Sequence, residues 1–452
     1  MRDLLLLAFL VPALIATLRY PFVGVLTWAW FSLMTPHQMA YGVFGLQLNL
    51  MIAAVTLVSI GLSGAFRHFR LDWLTGLVLL FAACLCISQI YSLKPEHSAK
   101  YFDLFLKTLI FVAVCMQLTT DRLKFHALMW MLAIGIGYFA LKGGLFTLAT
   151  LGQYRVQGLP NTILEDNNHL GTAIATILPL ILYLRQQATG ALVRQGLLAL
   201  FVLAIVAVIG THSRGAFVAL LVFGGFFWLR SNRKLLILAG LSVVFVPAIA
   251  FMPSKWGERM TTIGEATADA SFMGRVDAWH INTELALAHP FTGAGLRVPY
   301  EKDVAATVDR ERAASAKAAH SIYFEVLGGT GFIGLAVFLG ILGTAFMTTM
   351  RLQKLKADPT VDPWIPSFAY YAQISLAVFC VGGAAVSMEM WDGLYVLIAL
   401  IAGASRLAKI PVAAMAPAGV QPRLPSWRVA ARGVGWSRPW AKPSNPTLQD
   451  RG

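Results

Sequence analysis

Residues 320–349 read HSIYFEVLGGTGFIGLAVFLGILGTAFMTT, and this stretch decides the class of fold. After a polar start it continues as an apolar run that is long enough to cross the hydrocarbon core of a bilayer as one helix. Its single charged residue is Glu325. Because a carboxylate is costly inside a membrane segment, the stretch predicts a transmembrane helix and makes Glu325 a candidate functional residue.

Comparable apolar runs fill the rest of the chain, in which 57% of the 452 residues are hydrophobic and 13% are charged. A soluble domain of this size needs more polar surface. The runs predict an all-α, polytopic integral membrane protein with about 12–13 transmembrane helices, depending on whether the short first pair spans the membrane or forms a re-entrant hairpin. They fall at residues 4–18, 21–34, 46–62, 73–92, 102–118, 125–141, 169–184, 195–210, 215–229, 234–251, 321–349, 366–387 and 391–405.

Basic residues indicate how these helices are oriented, because positively charged connections stay in the cytoplasm. Five alternate connections and the tail obey this rule, and the intervening connections then face the periplasm of a bacterium, with the chain in the inner (cytoplasmic) membrane. The net charge of +14 is explained in this way. Nucleic acid is not an expected partner, since no basic module with stacking aromatics is present. The basic connections hold Arg67/Arg70, Arg122/Lys124, Arg185/Arg194, Arg230/Arg233/Lys234 and Arg351/Lys354/Lys356.

The chain divides into four parts. Residues 1–251 form an N-terminal transmembrane region, and residues 252–319 form one long periplasmic loop with short helices. Residues 320–405 form C-terminal transmembrane helices, and residues 406–452 a basic cytoplasmic tail predicted to be disordered. The four cysteines all lie in apolar runs, so they predict neither a disulfide framework nor a metal site.

Two arginines on the loop side are candidates for binding an anion. Arg214 lies in the turn THSRGA between two apolar helices, on the face where positive residues are disfavoured, and a guanidinium can bind phosphate through two parallel hydrogen bonds. Arg275 follows Gly274 at the start of a helical pattern. The alternatives are an interfacial arginine at 214, and for Arg275 a salt bridge with Asp277 or Glu284.

His320 lies where the long loop re-enters the membrane, five residues before Glu325. A histidine with a pKa near neutrality can accept the proton of a hydroxyl nucleophile. Such a residue at a helix start is often structural, and an offset of five does not require the two side chains to pair. The glycines that follow lack the spacing of a phosphate-binding loop, which argues against nucleotide binding and indicates close helix packing.

Other polar residues on this face have simpler explanations. Asp166 and His169 precede an apolar helix, and a helix cap explains this pattern better than a metal site. Lys142 and Arg155 add a positive field for an anionic substrate. Glu389, which lies in a turn on the same side, is expected at the membrane interface.

With these residues identified, the chain over about residues 1–405 resembles the O-antigen ligase and polymerase superfamily of bacterial membrane glycosyltransferases. It is most similar to the O-glycosylation ligases associated with exosortase A systems, through Arg19-Tyr20-Pro21 and Thr35-Pro36-His37. The motifs typical of the wider superfamily occur in order along the chain: Ser213-Arg214-Gly215, Gly274-Arg275 with Trp279, His289-Pro290 with Gly293 and Gly295, and His320-Ser321 with Gly328, Gly331 and Gly334.

The resemblance implies a GT-C-like O-antigen ligase fold and transfer of a glycan from an undecaprenyl-diphosphate-linked donor, with no cofactor and no essential metal. Arg214 and Arg275 would bind the diphosphate, and His320 would activate the acceptor hydroxyl, with Glu325 as a second catalytic candidate and Asp277 in support. The acceptor would be a protein, a glycolipid or a polysaccharide in contact with membrane lipid.

Three other functions fit parts of the pattern. A polysaccharide polymerase shares this architecture and differs mainly in its acceptor. A transporter or flippase for polyprenyl-linked glycans predicts internal repeats with paired broken helices, and the sequence has no visible repeat. A non-catalytic scaffold predicts that Arg214, Arg275 and His320 are each dispensable.

Overall fold

The computed structural model of the protein describes residues 2–411, except Phe44 and most of residues 231–269. Within that part of the chain the regular elements are α-helices and short 3-10 helices. The α-helices are α1 (Arg2–Arg19), α2 (Pro21–Met34), α3 (Leu48–Ser63), α4 (Trp73–Ile90), α5 (Pro95–Leu118), α6 (Arg122–Ala149), α7 (Asn167–Gln187), α8 (Ala191–Gly210), α9 (Arg214–Arg230), α10 (Ala270–Ala288), α11 (Lys302–Ala305), α12 (Ile322–Lys354), α13 (Trp364–Gly383) and α14 (Asp392–Leu407).

The predicted all-α membrane architecture is confirmed. Each predicted apolar run in the described residues corresponds to one helix, whereas the run 234–251 and the tail after residue 411 lie outside them. Six of the described helices, α4, α5, α6, α8, α12 and α13, are long and apolar enough to cross a membrane. The apolar helices α2 and α3 are shorter. The first pair of runs forms two separate helices, α1 and α2, which pack against α3.

Successive helices run in alternating directions, so the connections gather at two ends of the bundle. At one end Arg406 contacts Asp72 at 2.6 Å and Ser59 Oγ donates to Thr17 O at 2.5 Å. This basic end also holds Arg122 and Arg230. At the other end Leu93 N donates to Ala294 O at 3.0 Å, and Val156 N donates to Gly210 O at 2.8 Å. We call this second end the loop end, because residues 288–321 cover it.

Burial explains why some helices are less apolar than others. In α8 only 22% of the most apolar window is buried inside the protein, so this helix presents its apolar side chains outward. Most side chains of α7, and nearly all those of α14, are buried by other helices. A helix that is enclosed by other helices can carry polar side chains, because these groups find hydrogen-bond partners inside the protein. The polar start of α7, Asn167–His169, therefore lies inside the bundle.

The long helix α12 is broken near its start. Gly331 has φ 71° and ψ −172°, a backbone conformation that is essentially restricted to glycine. The break frees backbone groups that need other partners. Four hydrogen bonds supply them: Ala294 N to Gly328 O at 2.9 Å, Gly295 N to Gly329 O at 3.1 Å, Ser88 Oγ to Gly329 O at 2.6 Å, and Phe332 N to Pro290 O at 2.8 Å.

The motif His289–Gly295 therefore docks on the break in α12. The approach is very close, because a Cβ on Gly293 would lie 2.5 Å from the backbone carbon of Gly329. A Cβ on Gly328 would lie 1.9 Å from Asn282 Oδ1, which brings α10 against α12. The predicted role of these glycines in close packing is confirmed. The docking fixes the position of the loop over the start of α12.

We expect Gly331→Ala to destabilise the protein. The backbone conformation alone costs a non-glycine residue about 1–3 kcal/mol, and the new Cβ would lie 2.6 Å from Pro290 O. Gly343→Ala is the matched control, because it lies in the same helix with no atom within 4 Å of an added Cβ. Thermal unfolding of the detergent-solubilised variants measures the difference. Equal melting temperatures would contradict this account of the break.

Candidate active site at the loop end

His320 is held at the entrance to α12 by its neighbour Ala319. Trp279 Nε1 donates to Ala319 O at 2.7 Å, and Ala319 N donates to Glu325 Oε1 at 2.9 Å. The Trp279 ring also stacks on Phe324, with ring centroids 5.1 Å apart. His320 itself has a φ of 48°, which is uncommon for a residue with a side chain. Its conformation is therefore imposed by contacts on both sides.

The His320 ring is half-buried, and its Nδ1 has no hydrogen-bond partner among the described residues. Burial lowers the pKa of His320 below its usual value, and the positive charge of Arg275 lowers it further. The ring is thus neutral at physiological pH and can accept a proton. These contacts give the histidine the properties of a general base.

Glu325 is buried in the first turn of α12 and acts as a hydrogen-bond acceptor for three elements. Its Oε1 accepts from Tyr300 Oη at 2.6 Å, from Ser387 Oγ at 2.6 Å and from the backbone of Ala319. No hydrogen bond joins its side chain to that of His320. Glu325 therefore ties the loop and the turn after α13 to the start of α12, and it acts on His320 through the backbone.

A buried ion pair lies next to Glu325. Arg297 Nη2 contacts Glu389 Oε1 at 2.8 Å, and the two side chains are 14% and 2% exposed. Arg297 also donates to Tyr300 Oη and to the carbonyl of Ser387. The expectation that Glu389 lies at the membrane interface is wrong, because the turn folds inward and its carboxyl pairs with a residue 92 positions away.

The cluster of Arg297, Tyr300, Glu325, Ser387 and Glu389 has two carboxyl groups and one guanidinium. If both carboxyls ionise, one negative charge is in excess inside the protein. Burial raises the pKa of Glu389 to about 7, although Arg297 opposes the shift, and the charge of Glu325 adds to it. The Glu389 carboxyl thus changes charge near neutral pH.

The predicted site residues come to the loop end on different elements. Arg275 lies on α10, one turn before Trp279, and its charge acts on His320. Arg214 begins α9, and an added Cβ on the next residue, Gly215, would lie 2.9 Å from Ala385 Cβ in the turn after α13. The starts of α9, α10 and α12 are therefore grouped at the loop end.

Asp277 has a different environment from the other candidates. Its Oδ1 lies 3.3 Å from Arg312 Nε, and its Oδ2 accepts from Ser315 Oγ at 3.2 Å. On the same side of α10, His280 Nε2 lies 3.4 Å from Asp309. These contacts join α10 to the segment between α11 and α12. The supporting role predicted for Asp277 is thus compatible with holding the loop in shape.

The start of α7 also approaches His320. Asp166 caps the helix, as predicted, by accepting from Asn168 N at 2.8 Å. Both Asp166 and His169 act electrostatically on His320. His169 Nδ1 lies 2.7 Å from Ile163 O, while its buried Nε2 has no hydrogen-bond partner in the described chain. A second imidazole therefore belongs to this region.

Two cavities lie at the loop end, and none of the five predicted site residues lines either of them. No metal-binding group of three or more His, Cys, Asp or Glu side chains occurs among the described residues. The larger, which we call the basic cavity, has about 960 Å³ and is lined by Arg2, Lys142 and Arg155 with largely apolar walls. None of these three cations forms an ion pair with another described residue. The smaller, which we call the polar cavity, has about 190 Å³. Both include Gln38 and Phe139.

Sequence reasoning missed Arg297, Tyr300 and Ser387, and misplaced Glu389. The loop that holds Arg297 carries several other charged residues, so one arginine there had no distinguishing environment. Glu389 was visible as a carboxylate between two apolar runs, the same signal that identified Glu325. That signal could have identified it.

Comparison with known families separates the two halves of the chain. Residues 1–189 match a family of unknown function, and residues 199–339 match the O-antigen ligase family. No curated protein was found to match. The second match includes all five predicted site residues, Arg214, Arg275, Asp277, His320 and Glu325. The similarity to the O-antigen ligase family thus covers residues 199–339 of a multi-pass helical membrane protein.

Proposed function

We propose that the protein is a membrane glycosyltransferase of the ligase type, which transfers a glycan from a polyprenyl-diphosphate-linked donor to an acceptor hydroxyl. The observation that carries the proposal is the grouping of Arg275 and a neutral, half-buried His320 at one end of the bundle, within the O-antigen ligase match. The basic connections gather at the opposite end. By the positive-inside rule the site then faces the periplasm, from the inner membrane.

The proposed reaction needs a base and a stabilised leaving group. The acceptor oxygen attacks the anomeric carbon, and its proton passes to a ring nitrogen of the neutral His320. The bond between the anomeric carbon and the diphosphate oxygen breaks, and the polyprenyl diphosphate leaves with the electron pair. Arg214 and Arg275 stabilise the charge that develops on it, which two guanidinium groups can do without a metal ion. Direct displacement inverts the anomeric carbon.

The basic cavity suits the lipid-linked phosphate of this donor. Its walls are largely apolar and its cations, Arg2, Lys142 and Arg155, form no ion pair with another described residue. His212 lies two residues before Arg214. Burial lowers the pKa of His212, and the positive charge of Arg155 lowers it further. The positive charge of the cavity therefore extends toward Arg214, and an anionic lipid would be drawn to this side of the bundle.

Glu325 and Asp277 act as positioning residues in this mechanism. Glu325 holds Ala319, and with it His320, through a hydrogen bond at 2.9 Å. Asp277 holds the loop around Arg312. Neither group needs to exchange a proton with substrate. The acceptor is a protein, a glycolipid or a polysaccharide, and the part of it that reacts is the hydroxyl that His320 activates.

The experiment that tests this proposal compares Arg275→Gln with Arg194→Gln. Loss of one charged donor to the leaving group should slow transfer about 10²-fold, and lipid-linked glycan should build up in the membrane. Arg194 is exposed at the basic end and serves as the control. Quantifying lipid-linked glycan and product in membranes with equal protein levels gives the result. Normal transfer by Arg275→Gln would remove the proposed diphosphate site.

A further inference from the structure

The polar cavity lies where three distant segments meet at the loop end. Its walls come from the turn after α2, from residues 161–164 before α7, and from Met390, Trp391 and Asp392 after the buried Glu389. Most of this wall belongs to the N-terminal half, which matches the family of unknown function. The cavity is thus separate from the Arg297 cluster but shares the turn that carries Glu389.

Three polar side chains that line the polar cavity have a buried atom without a partner among the described residues. These atoms are His37 Nδ1, Gln38 Oε1 and Asn49 Oδ1. A buried polar group without a hydrogen bond costs about 1–3 kcal/mol. Three such atoms around one cavity indicate that something polar occupies it. The His37 ring is additionally fixed by stacking on Phe31, with ring centroids 5.7 Å apart.

The chemistry of the wall points to an uncharged ligand with many hydroxyl groups. The lining includes amides, hydroxyls and an imidazole, which offer both donors and acceptors, but no lysine or arginine. The carboxyl of Asp392 already accepts from Thr108 Oγ1 at 2.7 Å. Phosphate would find no cation here, whereas the neighbouring basic cavity supplies three. The apolar faces of Phe139 and Trp391 complete a wall suited to a sugar ring.

Size supports the same class of ligand. A volume of about 190 Å³ corresponds to roughly six water molecules at about 30 Å³ each. This is more than a single ordered water requires and is room for one pyranose ring. Gln38 and Phe139 line both this cavity and the basic cavity, so the two lie side by side.

We propose that the polar cavity is a sugar-binding subsite that takes one uncharged pyranose ring through His37, Gln38 and Asn49. The subsite rests on the proposed function for its role, because it would hold part of a glycan substrate. In this proposal the N-terminal half of the chain selects the sugar, while the residues around His320 carry out transfer.

Sugar binding can be measured without transfer, on the full chain in lipid nanodiscs. The probes are the methyl glycosides of glucose, galactose, N-acetylglucosamine and rhamnose, and saturation-transfer NMR is the readout. At least one probe should bind the wild type, and Asn49→Leu and Gln38→Leu should weaken it by about tenfold or more, a ratio that corresponds to about 1.4 kcal/mol. Both changes replace an unpartnered amide by an apolar group of similar size, so folding should be retained.

Gln89→Leu is the matched control. This amide also has an unpartnered buried oxygen at the loop end, but it does not line the polar cavity. The Gln89→Leu variant should bind the methyl glycosides as well as the wild type does. Absence of binding by all four probes, or equal binding by Asn49→Leu and wild type, would show that the cavity holds water only and would overturn the subsite.

The outcome separates this inference from the proposed function. The His320→Ala variant should bind the probes normally while losing transfer. If His320→Ala transfers normally and Asn49→Leu still loses binding, the proposed mechanism fails and the subsite remains. If His320→Ala loses transfer and Asn49→Leu binds normally, the mechanism remains and the subsite fails.

Discussion

His320→Ala is expected to lower the rate of glycan transfer by about 10²–10⁴-fold, the usual contribution of a positioned general base. The variant should fold, because the backbone of the preceding residue, Ala319, is fixed by hydrogen bonds with Trp279 and Glu325. Initial rates with purified lipid-linked donor, at matched protein concentration, measure the effect. The matched control is His280→Ala, which removes a side chain that is 41% exposed.

The pH profile distinguishes a base from a merely structural histidine. Burial and Arg275 lower the pKa of His320, so the neutral form should persist below the ordinary value of about 6.5. The wild-type rate should rise with pH through this lowered pKa and be level at neutral pH. In His320→Ala the rate should fall and should no longer rise with pH in this range, which is the result expected if His320 is the base. A small loss of rate with an unchanged pH profile would show that His320 is not the base.

Arg297→Met should have the largest effect on stability. It leaves the Glu325 and Glu389 carboxyls buried without their cation, and removing one partner of a buried ion pair costs about 3–5 kcal/mol. Glu389→Gln should cost much less. Its carboxyl has a pKa raised to about 7, so a neutral group at that position removes the excess negative charge of the cluster.

The exposed pair of Arg122 and Asp362 provides the control for this comparison. Its side chains are 55% and 18% exposed, and breaking an ion pair of this kind costs roughly 0–1 kcal/mol. In thermal unfolding in detergent, Arg297→Met should therefore have a much lower melting temperature than Glu389→Gln and Arg122→Met. This description of the cluster is wrong if Arg297→Met has the same melting temperature as Arg122→Met, or if Glu389→Gln is as unstable as Arg297→Met.

Predictions from local pattern succeeded where the membrane sets the rule. A helix such as α12 was visible because apolar length and the scarcity of charge are properties of consecutive residues. The same local pattern identified the glycines near Gly331 as packing positions and Asp166 as a helix cap. It did not show the break at Gly331, because that conformation depends on the hydrogen bond between Phe332 and Pro290, on separate elements.

Candidate residues were found where one residue stands out from its neighbours. Glu325 and His320 were noticed at the edge of an apolar run, and Arg214 on a face with few positive charges. Arg297 was not, because it lies in a polar loop where an arginine is unremarkable. Its importance comes from Glu389, 92 positions away, and no local pattern connects the two.

The sequence by itself thus determined the helical membrane architecture, the alternation of a basic end with a loop end, and the candidate roles of His320 and the two arginines. Only the tertiary structure decided that Glu325 holds the backbone of Ala319, that Arg297 and Glu389 pair inside the bundle, and that His37, Gln38 and Asn49 surround a cavity. The physical reason is that hydropathy acts along the chain. Side-chain partners depend on which helices become neighbours and how each is rotated, and packing alone settles that.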